Sequence, residues 1–321
     1  METIEIIEPG LLTTIQDMGR YGYQRYGVPV SGSMDQFALR AANLLVENDE
    51  AAAGLEITLI GPRLRFLASA VIAVTGADLT PVLDGQPLPM WQAHEVYRGS
   101  TLSFGGIRDG VRAYLSISRE IDVPVVLGSR STFTRARIGG FDGRALAQGD
   151  TLSTLEGVTT DLGRKRGMPP NRIPVYGHTH KVRVILGPQY DAFTPQGMET
   201  FLSAAYTVTS QSDRVGYRLE GPRIEHVAGA DIVSDGIPFG AVQVVGDGMP
   251  IILMADRGST GGYTKIAAVI SADLPSLAQA APGDSITFQS VTVEEAHRVL
   301  REQEQLLKAI ATGGASRLGL L

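Results

Sequence analysis

Short runs of β-branched and apolar residues, closed by Gly, Pro or Asp, recur along the whole chain. Val71-Ile72-Ala73-Val74-Thr75 is one, and Val182-Arg183-Val184-Ile185-Leu186, closed by Gly187-Pro188, is another. Such runs are rich in strand formers and too short for helices. Ala241-Val242-Gln243-Val244-Val245 and Ile251-Ile252-Leu253-Met254 flank Gly246-Asp247-Gly248, which predicts a hairpin. Helical spacing stands out in two places. Ser33-Met34-Asp35-Gln36 reads as a capping box, and Phe37, Ala41, Leu44 and Leu45 then share one face, predicting a helix over 34–47. Thr292-Val293-Glu294-Glu295 is a second capping box. It opens a helix over 293–311 in which Ala296, Val299, Leu300, Gln303, Leu306, Leu307 and Ile310 keep helical register, with Gly313-Gly314 as its end. The pattern predicts a mainly β chain with a few helices.

Gly163-Arg164-Lys165-Arg166-Gly167-Met168-Pro169-Pro170-Asn171 has no periodicity and is basic and proline-rich, which marks a linker. The expected organisation is an N-terminal β unit over 1–163, a linker over 164–174 and a C-terminal β unit over 175–321. The halves share landmarks in the same order. Gly61-Pro62-Arg63 recurs as Gly221-Pro222-Arg223, and Asp84-Gly85-Gln86-Pro87 as Asp247-Gly248-Met249-Pro250. Leu146-Ala147-Gln148 with Gly149-Asp150-Thr151-Leu152 recurs as Leu277-Ala278-Gln279 with Gly283-Asp284-Ser285-Ile286. A duplicated β unit with an insertion around 121–143 accounts for this, the alternative being chance recurrence of common turn sequences.

Composition narrows the function. The 321 residues suffice for two domains. The 38 glycines suit many tight turns and disfavour a helical protein, because glycine inside a helix costs about 1 kcal/mol relative to alanine. A formal net charge of −6 repels phosphate backbones and argues against nucleic acid as a partner. With no cysteine, disulfides, thiolate catalysis and Cys-ligated metals are excluded. The acidic start Met1-Glu2-Thr3-Ile4-Glu5 is unlike a signal peptide, and no apolar run reaches the roughly 18 residues of a membrane span, so a cytoplasmic location is expected.

Familiar catalytic signatures are missing. There is no P-loop, no G-x-G-x-x-G after a strand, no H-E-x-x-H and no G-x-S-x-G. His178-Thr179-His180 has a metal-like spacing, but no third ligand stands near it in sequence. It is read as a strand-entry feature, and no metal site is assigned. Asp256-Arg257-Gly258-Ser259-Thr260-Gly261-Gly262-Tyr263-Thr264-Lys265 follows an apolar strand. It is either a nest of backbone N–H groups for an anion, with Lys265 adding charge, or a plain glycine-rich hairpin end. Leu127-Gly128-Ser129-Arg130-Ser131-Thr132 is a second small-polar loop, whose arginine either holds a carboxylate or pairs with a structural acid. Asp213-Arg214-Val215-Gly216-Tyr217-Arg218 is a site or an ion-pair network, with Arg214 and Arg218 on one face of an alternating strand. Asp35 is a possible ligand or a first-turn acid that complements a helix dipole.

Taken in order, these segments resemble the family known as allophanate hydrolase subunit 2, as KipA or as the C subunit of 5-oxoprolinase, a relative of biotin-dependent carboxyltransferase domains. The matching runs are Gln16-Asp17-Met18-Gly19-Arg20, Gly27 to Asp35, Asn43 to Asn48, Thr75-Gly76-Ala77, Gly128 to Thr132, Asp213 to Gly221, Asp256 to Lys265 and Pro282-Gly283-Asp284, which span nearly the whole chain. The chain departs from the family pattern where Arg119-Glu120 replaces a glycine pair and Gly258-Ser259 replaces Gln-Thr.

The resemblance implies two cyclophilin-like β-barrel units and a site shared with a partner, the KipI-like B subunit of 5-oxoprolinase. Together with the A subunit the complex would open 5-oxo-L-proline to L-glutamate using ATP, with magnesium as an optional companion bound by the complex. The candidate catalytic residues are Lys265, Arg130 and Arg214. The candidate substrate-binding residues are Ser131, Thr132, Thr260, Gly261, Gly262, Tyr263, Asp256, Gln243 and Asp35. Two other readings remain. One is the carboxyltransferase component of a biotin-dependent urea or amide carboxylase, with biotin arriving on another chain. The other is a KipA-like regulatory protein that binds a KipI-like kinase inhibitor.

Overall fold

The structure is a computed structural model that describes residues 1–156 and 166–312. It divides into two compact units. Unit 1 comprises Met1–Arg20, Ser31–Val175 and the residues from Gln303 on, and unit 2 comprises Tyr21–Val30 and Tyr176–Glu302. The segment Tyr21–Val30 therefore belongs with the C-terminal half, which the local pattern does not reveal. Residues 164 and 165 of the expected linker, and Gly313-Gly314, lie outside the described residues. From Arg166 the linker is anchored in unit 1. The Arg166 carbonyl accepts from Ala93 N–H, Met168 N–H donates to the Trp91 carbonyl, and Met168 is buried.

Unit 1 is built from two antiparallel sheets. The first runs in the order Thr151–Ser153, Glu2–Glu8, Arg63–Phe66, Thr101–Phe104, Pro81–Leu83, Gln86–Pro87. The second runs Leu12–Gln16, Gly54–Thr58, Asp109–Ile117, Ala70–Asp78, Ala93–Val96. Alternation explains the central strand Ala70–Asp78, which reads as a continuous apolar run because both of its faces are buried. Ile72 and Val74 point into a core with Ile4, Ile15, Leu55, Phe66, Leu102 and Leu115. Val71 and Ala73 point the other way, toward helix α1 (Gln36–Leu45), Trp91, Tyr114, Leu307 and Ile310.

Helix α1 starts two residues later than the expected 34. Asp35, not Ser33, is its cap and accepts the Ala38 N–H at 2.8 Å. The N–H groups ahead of it are already committed, Ser33 to the Asp17 carbonyl at 2.9 Å and Met34 to the Glu56 carboxylate at 2.8 Å, so neither is open to the first helical turn.

Unit 2 is a closed seven-stranded barrel. Its order is Thr179–Leu186, Lys265–Val269, Ala241–Val244, Pro250–Leu253, Gly216–Glu220, Ala205–Val208, Ser285–Ser290, and the last strand returns to the first in parallel. The expected hairpin is present, with Val242 opposite Ile252. Helix α2 (Pro195–Ser203) is capped by Thr194 and lays Phe201 on Phe288, with ring centroids 4.5 Å apart. Helix α3 (Leu274–Ala278) is a short connector, and α4 (Val293–Ala311), which belongs to unit 2 up to Glu302 and to unit 1 from Gln303, has the expected bounds, with Glu295 N–H donating to the Thr292 hydroxyl at 3.2 Å. A two-stranded ribbon, Asp231–Gly236 against Thr260–Tyr263, stands beside the barrel sheet. Among the described residues no helix is long and apolar enough to cross a membrane.

Candidate functional site

The candidate residues fall into two groups, one in each unit. In unit 2 the glycine-rich loop is drawn out into the ribbon rather than curled into a nest. Thr260, Gly261, Gly262 and Tyr263 form one of its strands, with Gly261 opposite Asp235. Tyr263 is 41% exposed, so the ribbon presents an aromatic ring to solvent. Lys265 opens the next barrel strand, in register with Gln243. The lysine is only 4% exposed, yet its Nζ reaches Asp235 Oδ2 at 2.9 Å. That ammonium holds the Asp235 carboxyl below its ordinary range, helped by the Gly236 N–H.

Gln243 donates from Nε2 to the Tyr263 carbonyl at 3.2 Å, and the Gln189 side chain accepts from the Lys265 N–H at 3.2 Å. A side chain at Gly261 would press on the ends of the Ile237 and Gln243 side chains at 2.6 and 2.9 Å, so Gly261 lets the ribbon lie close against both. The result is a buried cation with an exposed counterion, framed by amide side chains. Such a group can bind an anion or stabilise charge on an oxygen.

Arg214 and Asp256 have each other as partners. The guanidinium grips the carboxylate in a two-pronged pair, Nε to Oδ2 and Nη2 to Oδ1, both at 3.0 Å, and Asp256 N–H donates back to the Arg214 carbonyl at 2.8 Å. Alternation starts later than the sequence suggests, because the strand begins at Gly216. Tyr217 points inward and donates to the Ala278 carbonyl, while Arg218 is exposed.

In unit 1 the small-polar loop is organised by a residue outside it. The buried Asp17 carboxylate accepts from the Ser129 hydroxyl at 2.7 Å, from Arg130 N–H at 2.5 Å and from the Ser131 hydroxyl. Thr132 donates its hydroxyl to the Ile15 carbonyl at 2.9 Å. The Arg130 side chain turns away from Asp17, donating to the Val123 carbonyl at 3.1 Å and pairing with Glu120 at 3.2 Å. Asp35 is fully buried at its cap position, and its N–H donates to the Tyr114 hydroxyl at 2.8 Å.

Arg119 and Glu120, where the resemblance implies a glycine pair, stand at backbone positions suited to glycine. Both residues adopt positive φ, +72° and +49°, where glycine is at ease and a side chain costs about 1–2 kcal/mol. Glu120 uses that position to hold Arg130 and to accept the Ala53 N–H at 3.2 Å.

Sequence reasoning missed Asp235, Glu120 and Asp17 as partners: Asp235 and Asp17 stand 30 and 112 residues from Lys265 and Ser129, and Glu120, though near Arg130 in the chain, meets it across an irregular loop that no periodicity describes. The same holds for His178 and His180. No carboxylate stands near them in sequence, but the structure brings Asp284 to 2.8 Å of the first and 3.3 Å of the second. Among the described residues no three or more His, Asp or Glu side chains form a group suited to a metal ion.

Comparison with known proteins gives this geometry a context. Residues 26–290 match the family described as carboxyltransferase domain, subdomain A and B. The chain is 38% identical over 307 residues to the C subunit of 5-oxoprolinase from Haemophilus influenzae, covering 96% of this chain and 97% of the relative. It is 35% identical over 308 residues to the C subunit of the Escherichia coli 5-oxoprolinase, with the same coverage. Among solved structures it superposes on the urea amidolyase of K. lactis with a TM-score of 0.90 at 35% identity, covering 96% of this chain and 20% of that one. The mainly β architecture with its closed barrel, and the match along nearly the full length, establish that this chain belongs to the carboxyltransferase domain, subdomain A and B, family.

Proposed function

We propose that this chain is the C subunit of an ATP-dependent 5-oxoprolinase that works with the A and B subunits to convert 5-oxo-L-proline to L-glutamate. The observation that carries the reading is the end-to-end relation to the H. influenzae protein, in which the match covers 96% of this chain and 97% of the relative. A lactam is a resonance-stabilised amide. Transfer of the γ-phosphoryl of ATP to its carbonyl oxygen makes the ring carbon electrophilic. Water adds there, the C–N bond breaks with a proton passing to nitrogen, and phosphate departs after a second hydrolysis. Lys265, held by Asp235 beside the Gln243 amide, is the group suited to stabilise negative charge on the carbonyl oxygen. The sequence has no P-loop, and nucleotide binding, with magnesium if required, is assigned to the assembled complex as a whole.

The test is reconstitution. With the A and B subunits present, glutamate and ADP should form from 5-oxo-L-proline and ATP only when this chain is added. Equal glutamate release without it would sink the reading.

The superposition on a urea amidolyase favours a second reading, transfer of a carboxyl group between biotin and an amide. Biotin would arrive on another chain. Urea-dependent consumption of carboxybiotin, with no lactam opening, would select that reading over the first.

A further inference from the structure

Unit 2 contains a cavity of about 250 Å³ that none of the candidate site residues lines. Its polar side is lined by Arg257, Gly258, Ser259 and Gln24. Arg257 donates from Nε to the Ile237 carbonyl at 2.9 Å and from Nη1 to the Met254 carbonyl at 3.2 Å, and it lies over the Phe239 ring at 5.3 Å. These contacts fix the plane of the guanidinium. They leave Nη2 and one N–H of Nη1 without an acceptor, and the group has no carboxylate partner among the described residues.

Burial lowers the pKa of Arg257, and only the Tyr21 phenol works in the opposite direction. The backbone N–H groups of Gly258 and Ser259 likewise have no protein acceptor among the described residues. Gln24, whose Oε1 accepts the Gly22 N–H at 2.8 Å, keeps its amide NH2 for another partner. The remaining wall is apolar, including Val30 and Ile237.

A half-buried cation with no counterion, surrounded by free donors and backed by an apolar wall, is incomplete without an anion. We propose that this cavity binds a small monocarboxylate with a compact apolar body, its carboxylate gripped by Arg257 and the Gly258–Ser259 N–H groups and its ring or branch against Val30 and Ile237. The volume suits a ligand well below drug size. The planar, forked donor geometry favours a carboxylate over a tetrahedral anion. The proposal goes beyond the activity proposed above and stands without it, since 5-oxo-L-proline is one member of the class.

The experiment titrates the full-length isotope-labelled protein with cyclopentanecarboxylate, 5-oxo-L-proline and inorganic phosphate, following the Gly258 and Ser259 amide resonances. A carboxylate is expected to shift both resonances saturably, and phosphate is expected to bind more weakly. Arg257→Gln should weaken carboxylate binding by roughly tenfold or more, the loss of a charge-assisted pair. Gln24→Leu, which leaves every Arg257 contact intact, should weaken it by less.

Unmoved resonances with both carboxylates would overturn the site, as would unchanged affinity in a folded Arg257→Gln. If that variant does not fold, unchanged affinity in Gln24→Leu decides against it. Phosphate binding as tightly as carboxylate would overturn the ligand class. Binding of cyclopentanecarboxylate without 5-oxo-L-proline would support the cavity and count against the lactam as substrate.

Discussion

Asp150 and Asp284 occupy equivalent turns in the two units, each carboxylate accepting the N–H of the alanine three residues before it, Ala147 and Ala281, at 2.7 Å. The surrounding backbone bonds also correspond. Gly149 and Gly283 donate to Ile6 and Val208, and the N–H groups of Ile6 and Val208 donate back to the carbonyls of Asp150 and Asp284. Both glycines have positive φ, +85° and +96°. The repeated Gly-Asp landmark in the sequence is therefore one structural device used twice, a tight turn into the last strand of each sheet. What differs is the partner. Asp150 faces Arg144 at 2.7 Å, whereas Asp284 faces His178 and His180.

That difference sets a pH prediction. Burial works against ionisation of Asp284, but the Ala281 N–H and the two imidazoles outweigh it and hold the carboxyl below its ordinary range. A carboxyl lowered in the folded state stabilises the protein above its unfolded pKa of about 4, and the contribution is lost as pH falls through the folded value. Asp284→Asn should therefore cost roughly 1–2 kcal/mol at neutral pH, with the two urea-unfolding curves converging in acid. A gap that persists unchanged in acid would mean that the charge is not responsible.

Arg130 should behave as a structural residue of unit 1. Its guanidinium is committed to Glu120 and the Val123 carbonyl. Arg130→Ala should destabilise the protein by about 1–3 kcal/mol in denaturant unfolding, leaving Glu120 with an unmet charge. Unchanged stability accompanied by lost turnover in the assembled complex would make it a catalytic candidate again.

The Arg214–Asp256 pair should depend on its fork. Arg214→Lys keeps the charge but cannot reproduce both 3.0 Å bonds, and it should lower the melting temperature, while Arg214→Ala should cost about 3 kcal/mol or more because Asp256 is 7% exposed. Calorimetry on both variants checks the order. Equal effects would show that the retained charge contributes nothing, and an unchanged melting temperature in Arg214→Lys would show that charge alone matters.

Lys265 should matter to chemistry more than to folding. Its counterion Asp235 is exposed, so the pair holds little structure together. Lys265→Met should leave assembly with the partner proteins intact and reduce glutamate formation about a hundredfold, the usual loss for one charge-stabilising donor. Asp235→Asn should reduce it less, because the ammonium remains. Full activity in Lys265→Met would remove the lysine from the site.

Much of this architecture was readable from local pattern. The apolar run at Val71 to Thr75, the hairpin around Asp247-Gly248 and the bounds of α4 follow from periodicity and turn chemistry, which depend on near neighbours. The start of α1 did not follow, because Asp17 and Glu56 claim the N–H groups of Ser33 and Met34 from a distance. Residue order alone was enough for a β-rich chain with repeated turn landmarks, because strand, turn and cap preferences act within a few residues. It took the folded arrangement to join Tyr21–Val30 to the second unit, to set Glu120 against Arg130 and Asp235 against Lys265, and to leave Arg257 without a carboxylate among the described residues. Charge pairing is chosen by proximity in space, and in a sheet protein the neighbours in space are set by strand order rather than by position along the chain.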